Sequence, residues 1–423
     1  MAGALLASLL SEPVPAGREH LAAALLRDGL PGARDEAWKY TNLRALEQRS
    51  YAVGDAQAAT RAIDLDALLV PIESCARLVF VNGVFRHDLS NVQLVTGLQI
   101  GRSVDDGRGE SAPTDGDLSG ARSAAFSRLN AVLATDGPQV TVLDGATIAQ
   151  PLLLIFVGVA ADADLAWNVL ARFDLGAGAS LKVIEHHVAA SPNAHLGNLV
   201  VNHALGAGAH LDLVQLQEAA PAATLIRRTT CRLEDTAVLS MHTVETGAQL
   251  MRHDLVVDLV GRGARFESRG VFALQGRQHA DTHMVVTHDA RDTACDIVWR
   301  GVADQRSRGV FHGAITVAPG ADGSDAKLSN KNLLLSPNAE IDTQPVLEIY
   351  ADEVKAAHGA TVGQLDERAL FYLRSRGMPL DLARRILVGA FCGAVLAEIR
   401  PTALRAHIDT LLAARLPQAE TGE

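Results

Sequence analysis

Leu175-Gly176-Ala177-Gly178-Ala179 and Leu205-Gly206-Ala207-Gly208-Ala209 are one five-residue word written twice: a hydrophobe, three small or polar residues, then alanine. Looser copies stand at Leu233–Ala237, Val260–Ala264 and Leu335–Ala339, a weaker one ends at Ala294, and the first four copies are 30, 28 and 27 residues apart. From about residue 140 the hydrophobic pattern has period two, with strand-like runs such as Leu181-Lys182-Val183-Ile184 and Asp254 to Leu259 following the words. A turn that recurs at this interval between strands marks stacked β-coils, each burying a face on its neighbours. A leucine-rich repeat has a similar period, but no copy carries the L-x-x-L-x-L-x-x-N spacing. The chain is therefore read as mainly β, with a β-helix over residues 140–357.

On either side the pattern changes. Residues 1–139 read as a helical and mixed cap: the first fifty carry helical spacing broken at Pro13 and Pro31, and Trp38 opens an aromatic and cationic cluster. Asn82-Gly83 lies between Arg77–Phe80 and Gly83–Arg86 and is a strong hairpin signal, because both residues tolerate positive φ. Residues 103–120, rich in Gly, Ser and Asp, read as a surface loop, and helical spacing returns over Ala121–Leu133. Residues 358–423 read as a helical domain. Asp366 and Glu367 open its first helix, Leu365, Leu370 and Leu373 line one side, and Gly377 with Pro379 stops it; two longer segments follow over Leu380–Ile399 and Thr402–Leu416.

With 48% hydrophobic but only 4% aromatic residues, the core must be built from Val, Leu, Ile and Ala, which suits thin stacked layers. The net charge of −11 argues against nucleic acid as a partner. Cys75, Cys231, Cys295 and Cys392 form no C-x-x-C pair, so no local zinc or cluster motif is present, and scattered thiols fit a reducing cytosol. The longest apolar run, Pro151–Ala161, is too short to span a bilayer, and no basic segment precedes the apolar N-terminus, so a cytoplasmic protein without a membrane partner is expected. No phosphate loop, dinucleotide fingerprint, nucleophile elbow or H-E-x-x-H pair is present, which removes the common nucleotide and hydrolase mechanisms. The chain is expected not to be an enzyme, and no intrinsic cofactor is assigned.

Two histidine settings stand out. His279, Asp281 and His283 alternate, so one strand face carries two imidazoles and a carboxylate, a set able to hold a divalent metal; the plainer alternative is a ladder of hydrogen-bonded histidines. His242, His253 and His288 stand nearby in the pattern. His358 lies where the last strand leaves the β-helix, and the open end of a stacked sheet must be capped or paired with another chain. Beyond it, Phe371 and Tyr372 beside Arg374 and Arg376 suit either core packing or a partner surface.

The words Leu333–Pro345 (LLLSPNAEIDTQP), Leu347–Gly363 (LEIYADEVKAAHGATVG) and Leu370–Gly377 (LFYLRSRG), with Glu36–Thr41 (EAWKYT) near the N-terminus, resemble the SufD family of the SUF iron–sulfur cluster assembly machinery. The pattern Asp281, His283, His288 also resembles a recurrent element of that family. The resemblance implies a right-handed parallel β-helix and a non-catalytic scaffold. A SufB-type sibling would pair at the β-helix edge, and a SufC-type ABC ATPase would dock on the C-terminal helices, with Phe371, Tyr372, Arg374 and Met378 as contact candidates. It also implies that His358, in His358-Gly359-Ala360-Thr361, serves the shared interface, where iron or a nascent cluster could be handled with partner residues. Many family members carry cysteine two residues before this histidine; here Ala356 stands there, so no thiol acts at that position. Gly359 differs from the glutamate of the SufB pattern, and residues 317–332 match the family loosely. A carbohydrate-active β-helix enzyme, which needs a row of solvent-facing carboxylates, and a purely structural homodimer remain as alternatives.

Overall fold

Each repeat holds two strands of about ten residues joined by two corners, and successive strands go to opposite sheets. In the computed structural model, which describes residues 3–11, 14–54, 61–70, 72–92, 95–103, 122 and 124–415, this gives a parallel β-solenoid of about 8 turns with terminal helices. Strands Leu165–Leu175, Leu196–Leu205, Thr224–Leu233, Leu250–Leu259, His279–His288, Arg308–Val317 and Glu340–Ile349 stack in a ten-stranded sheet. Strands Ser180–Ala189, His210–Glu218, Val238–Glu245, Arg265–Leu274, Ala294–Ala303, Asp325–Leu334 and Lys355–Gly363 stack in an eleven-stranded sheet facing it. The last of these carries His358 past the residue-357 limit expected for the solenoid.

The repeated word is the corner from the first sheet to the second. Leu175, Leu205, Leu233 and Leu259 lie directly opposite one another, and Ala179, Ala209, Ala237 and Ala264 are fully buried. The residue before each alanine is left-handed, with φ of 65° at Gly178 and 68° at Gly208, where a Cβ would be unfavourable. Its N–H donates to the carbonyl of the next corner, as from Gly178 to Ala207 and from Gly208 to Asp235. Three copies differ from their reading in sequence. Leu259, not Val260, holds the stacked place; the weaker copy closes on Thr293, whose hydroxyl meets His288 Nδ1 at 2.8 Å; and Leu335–Ala339 turns the opposite corner.

Leu, Val and Ile rows fill the interior, but the few aromatics are concentrated there too: Phe173, Phe266, Phe272, Phe311 and Trp299 are almost wholly buried. The N-terminal segment and the helix Ala125–Leu133 cover the outer face of the ten-stranded sheet through Trp38, Leu129, Ala166, Leu196 and Ile226. Helices Leu380–Gly393 and Thr402–Arg415 cover the other outer face, placing Val388, Ile408 and Leu412, with Leu396 from the segment between them, on Val214, Val244, Val271 and Val302. The segment expected to be helical over 380–399 thus stops at Gly393. Strands Ala76–Val81 and Val84–Phe85 form the expected hairpin, with Asn82 and Gly83 both at positive φ. The break expected at Pro13 and the loop expected over 103–120, beyond Ser103, lie outside the described residues.

Candidate functional site at the open end of the solenoid

The last strand of each sheet is paired on one side only: Glu340–Ile349 with Arg308–Val317, and Lys355–Gly363 with Asp325–Leu334. His358 lies opposite Leu328, and the row continues inward through Ile297, Ser268, Met241, Leu213 and Val183, all buried. His358 therefore occupies an interior row of the solenoid, yet it is exposed because no further coil covers it. Ala356, two residues earlier, opposes buried Ala326 in the same way and so lies on the same uncovered face. Ile349, Tyr350 and Val362 are exposed around the same end. An uncovered strand edge with apolar residues beside it is a template for another chain.

The helix Glu367–Ser375 stands next to this end. Asp366 caps it by accepting the Arg368 N–H at 2.8 Å, and Leu370 is the residue it buries. Phe371 and Tyr372 are 74% and 57% exposed, so this pair is not packed in a core. Arg374 is exposed, Met378 is half-buried, and the Arg376 guanidinium lies over the Tyr372 ring at 5.3 Å. The nearby Leu382 and Ile386 extend the apolar surface.

His279, Asp281 and His283 do share a strand face, and the N-terminal word covers it. Thr41 meets His279 Nε2 at 2.8 Å and donates to Asp281. Arg252 donates to Asp281 at 2.5 Å and to Asp254 at 2.6 Å, and its guanidinium lies 4.5 Å from the Trp38 ring. His283 stacks on His312, with centroids 4.7 Å apart, and its Nε2 is 3.4 Å from Asp281. Burial pulls His283 down to about 4, so it is neutral at pH 7. The matching words EAWKYT and D-x-H thus form one packed cluster, joined by a buried guanidinium that sequence reading missed.

Another polar set lies inside the solenoid. His187 Nε2 donates to Glu185 at 2.6 Å, Arg227 donates to Glu185 at 3.0 Å and to Thr229 at 2.9 Å, and Thr229 meets His253 at 3.1 Å. Asp212 and Asp254, acids on the strands of the solenoid, are tied to His210 at 3.1 Å and to Arg252. Their outward rows interleave acids with cations, Lys182 beside Asp212 and Arg228 beside Asp254, which is no row of carboxylates.

Residues 166–391 match the family model described as SUF system FeS cluster assembly, SufBD core domain. The chain is 30% identical over 407 residues to the iron–sulfur cluster assembly protein SufD of Escherichia coli, covering 95% of this chain and 93% of that one. It is 28% identical to SufBD family proteins of Synechocystis, over 91% and 87% of the two chains, and of Mycobacterium leprae, over 90% and 88%. The chain belongs to the SufBD family of SUF-system iron–sulfur cluster assembly proteins.

Proposed function

We propose that this chain is a non-catalytic, SufD-type scaffold that pairs the open end of its solenoid with a SufB-type sibling and docks a SufC-type ABC ATPase on the helix Glu367–Ser375. The observation that carries the pairing is His358, an exposed histidine in a row whose inward members from Leu328 to Val183 are all buried. A continuing coil from another chain would cover that row, and a neutral imidazole enclosed there is a competent ligand for iron passing through as cargo. Phe371 and Tyr372, with Arg374 and Met378 beside them, supply the docking surface for the ATPase. The His279 and His283 face is assigned a structural role, since Arg252 and Thr41 supply its partners.

Co-expression of the tagged chain with the SufB and SufC proteins of its own source, followed by mass determination, tests the reading. A heteromer is expected. Placing lysine on the open end, Ile349→Lys with Val362→Lys, should abolish SufB pairing, while Phe371→Asp should release the ATPase and leave SufB bound. His358→Ala should retain both partners and lower cluster yield. Removing everything after Val362 would bare Val214, Val244, Val271 and Val302, so the point substitutions are the cleaner probe. A chain that emerges alone or as a homodimer beside SufB would overturn the proposal.

A further inference from the structure

A cluster far from the open end joins the C-terminal helix to the solenoid. His186 lies on the strand Ser180–Ala189, Glu218 ends the strand His210–Glu218, and His407 comes from the helix Thr402–Arg415. Both imidazoles donate from Nε2 to the same carboxylate oxygen, Glu218 Oε1, at 2.9 Å from His186 and 2.8 Å from His407. One ligand atom from each residue lies within 4.8 Å of the others, and the two rings meet edge-on at 70°. The side chains are 4%, 17% and 29% exposed in the order His186, Glu218, His407, so the cluster is closed on the sheet side and opens toward the helix.

From this geometry we infer that His186, Glu218 and His407 form a site for a divalent first-row transition ion, which clamps the last helix onto the solenoid. Two imidazoles and one carboxylate are the donor set of facial sites that leave coordination positions open. Metal–ligand bonds of about 2.1 Å put adjacent ligand atoms roughly 3.0–3.4 Å apart, so the two contacts to Glu218 need lengthen only by a few tenths of an ångström, while the two ring nitrogens already lie within 4.8 Å of each other. Each ring must give up its Nε2 proton on binding: a neutral ring moves it to Nδ1, and a protonated one releases it to water. Arg415 acts on Glu218 and competes with a cation, which favours ions that gain from imidazole over magnesium or calcium. The site is independent of the scaffold proposal, since none of its residues lies at the open end or on the helix Glu367–Ser375.

The test uses the full chain, stripped with a chelator and dialysed against Zn(II). Wild type is expected to retain one more metal ion per chain than either Glu218→Gln or His407→Gln, and Zn(II) should raise the unfolding midpoint of wild type only. Co(II) in place of zinc should give wild type a visible d–d absorption that both variants lack. Retention equal in all three proteins, or no metal held by wild type, overturns the inference; the wild-type measurement decides it even if a variant fails to fold.

Discussion

Glu185→Ala is expected to lower the unfolding free energy by about 3–5 kcal/mol, the cost typical of removing one partner from a buried ion pair. Glu185 is 1% exposed and Arg227 5%, so the alanine protein would leave a guanidinium inside the solenoid with Thr229 as its remaining side-chain bond. Burial alone would push the Glu185 carboxyl up, but the Arg227 charge and the hydrogen bond from His187 hold it well below the usual carboxylate range. The same cavity without a charge is tolerable: a double variant, Glu185→Leu with Arg227→Met, should recover most of the loss, because well-packed apolar residues replace buried pairs at little cost. Arg262→Ala, which cuts a largely exposed pair with Asp292, should barely move the midpoint. Urea titration of the four proteins reads these differences. A Glu185→Ala shift below about 1 kcal/mol would mean that water reaches Arg227 and that the interior is not dry.

This interior polar set marks where sequence reading ended. The solenoid was legible because its order is local and repeated: one corner word, one left-handed residue before alanine, and strands that stack at nearly constant register. The hairpin at Asn82-Gly83 was legible for the same reason, since two adjacent residues determine it. His358 could be placed near an open end, but its row could not, because that depends on which face of the last strand continues the core. Glu185 and Arg227 are 42 residues apart and meet across the two sheets within the solenoid, not along the repeat, so the 27 to 30 residue period gives no hint of them. Glu218 and His407, 189 residues apart, belong to different structural layers. The one available signal was the doublet His186-His187: on a strand it must send one ring inward and the other outward, and so neither could be part of a simple apolar row.

The second large effect is acid sensitivity that begins above the carboxylate range. His203, His253 and His288 are buried, and burial brings their pKa down to about 3, 3 and 4, so all three are neutral in the native chain. In the unfolded chain they titrate near 6.5, hence below that pH the unfolded state binds protons that the native state refuses, and stability falls as pH drops toward the folded values. Each costs about 2 kcal/mol between pH 6.5 and 5. Glu245 acts in the opposite sense: burial raises its carboxyl to about 8, so its contribution is fully present below about 4.5 and is lost as pH rises through 8. Three histidine protons outweigh one carboxyl proton below pH 6.5, so among these four groups the net effect is a loss of stability as pH falls from 6.5 to 5. His203 is the clean probe, because neither ring nitrogen has a hydrogen-bond partner and the ring stacks on Phe173 at 4.9 Å. His203→Phe keeps that packing and removes the proton site, so its stability should fall less steeply than wild type between pH 6.5 and 5, by the slope of one proton. Urea midpoints across that range decide the matter: a flat wild-type profile, or equal slopes in the two proteins, would show that these rings are protonated in the native chain and that the interior admits charge.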